Sequence, residues 1–423
     1  MSLVYDLIFL VFALVSLPVY LFRRKFHRGF IRRLGILPRN LKLNRPIWLH
    51  AVSVGEAATI KSLLEELRSA FPARQFVIST VTPTGNKIAA RLAGEGDFVT
   101  YLPLDLSLIV KRVIRIINPS LFIIAETEIW PNLISTLHAA NIAVVTVNGR
   151  ISERSLRGYL AARFLLKPIF ERVSLFCMQS ETDAARLSQL GVPGDKIKIT
   201  GNMKFDTAGL TIEAEQLIRC RRVLKLGPAD KLLVCGSTHR GEEAELLQVY
   251  SRLQRSFSGL KLLIAPRHPE RAGEIESLAV KHGFKPALIS RLAPESLKRE
   301  SVFILDSVGE LMNYYAVADI AFVGGSLVNK GGHNILEPAF LERPILFGPH
   351  MSNFRDIAGM FLKNNAAIMV DNPGQLEKEI GALLGNPEGA VELGGRARQV
   401  CFSNQGASAR NAQYLRQFCG IIG

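Results

Sequence analysis

Cysteine is scarce in this 423-residue chain, and the five present, Cys177, Cys220, Cys235, Cys401 and Cys419, form neither a CxxC pair nor the paired spacing of a zinc site. That excludes a disulfide framework and reads as reduced thiols in a cytosolic setting. No DxD pair and no histidine cluster occurs, so the sequence offers no metal ligand set. Acidic residues are outnumbered, 37 against 52 Lys and Arg, for a net charge of +15. A nucleic-acid partner would need a continuous basic face. Beyond the N-terminus the basic residues are scattered among acidic ones, so no nucleic acid is expected. Apolar residues make up 48% and charged residues 21%, which excludes a disordered chain.

Long apolar runs are also missing, save one. Leu3 to Phe22 is about long enough to cross a bilayer, with only Asp6 and Pro18 interrupting it. Arg23, Arg24, Lys25, His27 and Arg28 follow at once, then Arg32 and Arg33. A signal peptide carries its charges before the apolar run and a small-residue cleavage site after it. The opposite order predicts an N-terminal membrane anchor, with a basic juxtamembrane segment to residue 42 and the rest of the chain in the cytoplasm. The other reading of the run is a monotopic helix lying in one leaflet on anionic headgroups.

The remaining length exceeds one ordinary core and predicts two domains, 43–210 and 211–423, the second ending in a helix. Apolar runs alternate with amphipathic segments throughout. Strands are predicted at 47–51, 75–79, 98–102, 120–125, 143–147, 175–178 and 196–199, and again at 231–236, 260–265, 286–290, 302–305, 320–323, 344–347 and 367–370. A helix near 212–226 joins the halves. Such alternation gives parallel sheets covered on both faces, with ligands beyond the carboxyl ends of the strands.

Chemistry-bearing residues fall at those ends. In the first half Glu56 follows Ser53-Val54-Gly55 and opens a helix; in so short and apolar a loop its carboxylate is expected to be partly desolvated, as a general base needs. Glu126 and Glu128 come directly after an apolar strand, where they are placed to hold hydroxyls or cations. Lys204, in Gly201-Asn202-Met203-Lys204-Phe205-Asp206, is a candidate to neutralise a leaving group. In the second half Phe322-Val323-Gly324-Gly325-Ser326 leads through Gly331-Gly332-His333 to Asn334-Ile335-Leu336-Glu337-Pro338. A strand, a glycine loop and a helix start predict free N–H groups for a phosphate, with Glu337 near a sugar hydroxyl. Arg267-His268 is an anion or base contact after a strand. Val308-Gly309-Glu310 is read as a turn that opens a helix with its N–H groups free.

Six motifs in order, His50 to Glu56, Glu126 to Asn132, Gly201 to Asp206, Gly236 to His239, Pro266 to Arg271 and Gly331 to Pro338, closely resemble the 3-deoxy-D-manno-octulosonic acid (Kdo) transferases of lipopolysaccharide synthesis. The resemblance spans essentially the whole chain. It implies an α/β GT-B fold, two Rossmann-like domains facing across a cleft, the first binding acceptor and the second CMP-Kdo. It implies an inverting, metal-independent enzyme without a cofactor that moves Kdo from CMP-Kdo to a lipid A precursor, lipid IVA. The setting implied is the cytoplasmic face of a Gram-negative inner membrane, with the membrane phospholipids as partners. By position, Glu56 matches the base, and Glu126 and Lys204 match transition-state stabilisers. Arg267, His268, Val308, Gly309, Glu310, Asn334, Ile335, Leu336 and Glu337 match CMP contacts. The rival reading is a membrane-associated GT-B enzyme using a UDP-sugar, which binding of CMP against UDP separates.

Overall fold

The computed structural model describes residues 5–11, 13–15, 29–52, 54–206, 212–292 and 300–419. It divides into two compact units, Met1–Thr207 with Asn404–Gly423, and Ala208–Ser403. Each is built on a seven-stranded sheet in which every strand pair is parallel.

In the first unit the strands are β1 (Ile47–His50), β2 (Phe76–Thr80), β3 (Phe98–Tyr101), β4 (Leu121–Ala125), β5 (Ala143–Gly149), β6 (Leu175–Met178) and β7 (Ile197–Ile199). They lie in the order β3-β2-β1-β4-β5-β6-β7. Side chains alternate faces along a strand, so an apolar run feeds two cores at once. Ile47, Leu49, Ile78, Leu121, Ile123 and Val145 join the core on one face. Trp48, Val77, Phe122, Ile124 and Val144 join the core on the other. Among the buried polar residues of these strands, Ser79 Oγ takes the Trp48 Nε1–H at 2.8 Å and lies 3.0 Å from His50 Nδ1.

The second unit repeats the plan with β8 (Lys231–Thr238), β9 (Leu260–Pro266), β10 (Pro286–Leu288), β11 (Val302–Ile304), β12 (Ile320–Val323), β13 (Ile345–Phe347) and β14 (Ile368–Met369). Their order is β10-β11-β9-β8-β12-β13-β14. Leu233, Cys235, Leu262, Ile264 and Phe322 face one core, and Leu232, Val234, Leu263, Phe303 and Ala321 the other. All fourteen expected strands are present, with ends shifted by a residue or two at most of them. The expected connecting helix spans Ala214–Val223.

Two findings depart from the sequence reading or fall beyond it. The C-terminal helix Ala407–Cys419, expected with the second domain, belongs to the first unit. Asp206 fixes its start, one carboxylate oxygen accepting from Gly406 N–H (2.7 Å) and the other from Ser408 N–H (2.5 Å). Ala407, Ala412 and Leu415 then pack into the first unit's core. The expected anchor, Leu3 to Phe22, and the basic cluster Arg23 to Arg28 lie for the most part outside the described residues, as does the expected domain boundary at 210–211. Among the described residues no helix is long and apolar enough to cross a membrane.

Candidate active site

A doubly wound sheet opens a crevice where its strand order reverses, because the connections on either side run to opposite faces. In the first unit that point lies between β1 and β4. Glu56 is in the first turn of the helix Val54–Ala70 that follows β1, and Glu126 is the residue directly after β4. The Val52 N–H donates to Glu56 Oε2 at 2.7 Å, which fixes the carboxylate against its own loop. Glu126 sits in the left-handed region at φ 60°, a conformation that costs a non-glycine residue about 1 kcal/mol or more. Its N–H is held by Val147 O at 2.9 Å, so the neighbouring strand enforces the strained turn.

These side chains act on one another. Burial raises the Glu126 pKa, the Glu56 charge raises it further, and Lys204 and Arg150 pull it back. Glu128 is pushed up to about 7, first by burial and then by Glu56. The structure therefore brings Glu56, Glu126, Glu128, Lys204 and Arg150 within electrostatic reach inside the first unit. Lys204 is placed by the short 3-10 turn Met203–Asp206. Buried Asn148 anchors that turn, its Oδ1 accepting from Met203 N–H at 2.9 Å. Sequence reading singled out Glu56, Glu126, Glu128 and Lys204 one by one; that they act on one another, with Arg150 among them, depends on how β4 and β5 end side by side.

The second unit's order reverses between β8 and β12. The glycine loop after β12 corrects an expectation. The N–H groups of Gly325, Ser326 and Leu327 are not free for a phosphate, because a buried carboxylate from within the same unit occupies them. Glu242 opens the helix after β8 and is fully buried. The N–H groups of Gly325 (2.8 Å), Ser326 (3.0 Å), Leu327 (3.0 Å) and His239 (2.9 Å) all donate to its two oxygens. Burial raises its pKa against the pull of those four bonds. A signal was present in the sequence: each half has Gly-Glu at the start of its first helix, Gly55-Glu56 and Gly241-Glu242.

Around this loop stand the other expected residues. Glu337 lies in the first turn of the five-residue helix Leu336–Phe340, accepts from Asn334 Nδ2–H at 3.2 Å, and has its pKa raised by burial while Asn334 and Arg267 lower it. Ile335 and Leu336 are buried beneath it. Arg267 and His268 follow β9, and His268 Nδ1 is 3.5 Å from Glu270. Val308, Gly309 and Glu310 precede the helix Leu311–Tyr315, with Val308 exposed and Gly309 at φ 92°. The Ser307 hydroxyl bonds the Glu310 carboxylate. A cavity of about 630 Å³ adjoins this turn, lined by Arg219, Arg222, Ser290, Ser307, Glu310 and Tyr314 among others. Among the described residues no three His, Cys, Asp or Glu side chains converge as ligands for a metal.

Comparison with known proteins follows the same division. Residues 28–207 match the family model described as 3-deoxy-D-manno-octulosonic-acid transferase (kdotransferase). A 3-deoxy-D-manno-octulosonic acid transferase of Haemophilus influenzae is 36% identical over 88% of this chain and 87% of its own. One from Chlamydophila psittaci is 36% identical over 90% and 88%. Among solved structures, a UDP-GlcNAc 2-epimerase from Neisseria meningitidis superimposes with a TM-score of 0.61, covering 88% of this chain and all of that one at 12% identity. At that identity the likeness speaks to fold alone, and it is to a protein of two α/β domains of the GT-B-like kind.

Proposed function

Because the chain belongs to the 3-deoxy-D-manno-octulosonic acid transferase family and is a glycosyltransferase, we propose that it moves Kdo from CMP-Kdo to a lipid A precursor, lipid IVA, with inversion and without a metal, releasing CMP. The observation that carries this reading is the placement of Glu56 and Glu126 on the two sides of the first unit's switch point, with Lys204 coupled to Glu126.

In the proposed reaction an acceptor hydroxyl attacks the anomeric carbon of Kdo from the face opposite the phosphate. Glu56 takes the hydroxyl proton, with one of its oxygens pinned by Val52 N–H so that the carboxylate holds its orientation. As the bond to phosphate stretches, positive charge develops on the sugar ring, and the half-buried Glu126 is suited to stabilise it. Lys204 offsets the negative charge developing nearby. One phosphate asks for fewer cationic partners than a diphosphate, which is why side chains suffice in place of a metal. Arg267, His268, Val308 to Glu310 and Asn334 to Glu337 are proposed as CMP contacts, with Glu337 toward the ribose.

The proposed location is the cytoplasmic face of the inner membrane, held by the N-terminal segment. Two observations support it: the apolar run with its basic collar, and the exposure of Leu7, Ile8, Leu10, Val11, Leu14 and Val15 in helical geometry. Asp6 meanwhile holds these residues to the first unit, accepting from Ser107 N–H at 3.1 Å and from Asn132 Nδ2–H at 2.6 Å.

The test is an assay with CMP-Kdo and tetraacylated lipid A precursor, reading CMP release and product mass. Wild type is expected to add Kdo, and Glu56→Gln to lose about 100-fold or more of kcat while still folding and binding CMP. Normal turnover in Glu56→Gln would remove the base assignment. Transfer from a UDP-sugar in place of CMP-Kdo would remove the donor.

A further inference from the structure

With the Gly325, Ser326 and Leu327 N–H groups taken by Glu242, other groups at this end of the second unit's sheet have to meet the donor's phosphate. His239 follows β8 and His333 lies in the loop after β12, so the two flank the point where the sheet order reverses. Their Nε2 atoms are 2.8 Å apart, the rings are within 3° of parallel, and the ring centroids are 5.1 Å apart. Two imidazole radii added to one N···N hydrogen bond account for that centroid spacing, so the rings meet head to head. One Nε2–H donates and the other Nε2 accepts, and no second proton fits between them. The pair therefore carries a charge of zero or plus one, never plus two.

The surroundings favour the neutral state until an anion arrives. Gly325, at φ 66°, lies against both rings, and a Cβ there would come within 2.9 Å of His333 and 3.2 Å of His239. Lys330 from the glycine loop, Arg267 from the end of β9, and Arg271 face the pair as cations, the His268 ring stands edge-on to His239, and Glu243 is the opposing carboxylate. Glu243 is itself engaged by Arg271 Nη1–H at 2.8 Å and by the Thr238 hydroxyl at 3.1 Å. Burial, reinforced by the neighbouring cations, holds His239 below its ordinary range and His333 at about 4. An anionic phosphate group brought among these groups, singly charged in the sugar donor and doubly charged in released CMP, reverses the balance, since an opposite charge favours the protonated imidazole.

We propose that the His239–His333 pair is the acid for the leaving phosphate, holding one additional proton when the phosphate group is bound and passing it on as the sugar departs. The inference rests on the reading that the donor is CMP-Kdo. When the bond from the anomeric carbon to the phosphate oxygen breaks, its electron pair stays on that oxygen, which takes the pair's proton. The acceptor hydroxyl forms the new bond to the anomeric carbon and gives its own proton to Glu56. The histidine pair ends neutral, with one hydrogen shared between its nitrogens.

Titration calorimetry of the full chain with CMP at pH 7.5, in two buffers of different ionisation enthalpy, reads proton uptake directly. Wild type is expected to take up roughly half a proton or more per CMP bound. Cytidine, which lacks the phosphate, is expected to bind with none. His239→Gln and His333→Gln are expected to lose the uptake and about 10- to 1000-fold of kcat, with a smaller change in donor KM. His282→Gln, at the end of the helix Ala272–Lys281, is expected to behave as wild type. CMP binding to wild type without proton uptake overturns the pair's role and leaves the transferase reading intact. Failure of CMP to bind, with inorganic phosphate still binding and drawing a proton, overturns the donor assignment and supports the pair. Uptake undiminished in both histidine variants overturns the pair.

Discussion

Glu126 and Glu128 are separated by a single residue, yet they answer differently to the same crevice. Glu126 has Lys204 and Arg150 to offset its burial. Glu128 lacks those two among the charges acting on it and is pushed up to about 7 from the usual 4.5. A carboxyl whose pKa is raised on folding keeps its proton in the native state while the unfolded chain has lost it. Between pH 4.5 and 7 the native state thus binds more protons, and stability falls as pH rises through that window. Glu128→Gln cannot ionise and escapes that loss. Thermal or denaturant unfolding at pH 5 and pH 8 is expected to show the variant gaining on wild type by about 1–2 kcal/mol at the higher pH, a figure reduced because the side chain is partly exposed. Parallel pH profiles for the two proteins would mean that Glu128 is solvated. Sequence position put both acids at a strand end, but their difference comes from cations carried on other strand ends.

At the scale of elements, the strands were legible because a parallel strand buried on both faces has to be an uninterrupted apolar run, and runs such as Leu121–Ala125 and Ile320–Val323 have no other use in a soluble domain. The glycine loop was legible as a loop, but the N–H groups at its start are not open to a phosphate. Its Gly325, Ser326 and Leu327 N–H groups are satisfied by Glu242, 83 residues earlier than Gly325; the Gly241-Glu242 pattern marks the carboxylate, but nothing local says which loop it meets. The carboxylate acts as a built-in anion that fixes the loop, which in turn seats His333 against His239. Glu242→Ala would strand several buried N–H groups and is expected to cost about 3–5 kcal/mol. Glu242→Gln keeps one acceptor oxygen and should cost roughly half of that. Hydrogen exchange of the Gly325, Ser326 and Leu327 amides follows the loop directly: fast exchange in the alanine variant is expected, and wild-type protection there would show that the loop holds its shape without the carboxylate.

For the whole molecule, the chain does not leave the first unit for good when it enters the second. It returns at Asn404, and the return is secured by Asp206, some 200 residues earlier, whose carboxylate caps the start of the last helix. Arg410 Nε–H reaches Thr200 O at 2.8 Å and Asn411 Nδ2–H reaches Thr200 Oγ1 at 3.1 Å, so the helix is stitched to the end of β7 as well. A sequence-based boundary near 210 separates the sheets well but has no means of assigning the last twenty residues, since a C-terminal amphipathic helix packs equally well in principle on either unit. The consequence is directional. Truncation after Ser403 removes Ala407, Ala412 and Leu415 from the core beneath β1 and β4 while touching no core residue of the second unit. Exchange protection in β1, β2 and β4 is expected to fall, with β8, β9 and β12 unchanged. Asp206→Ala, which leaves the helix in place but uncapped, is expected to give a milder version of the same pattern, about 1–2 kcal/mol. Loss of protection in the second sheet instead would mean that the helix supports that unit and that the division drawn from the fold is wrong.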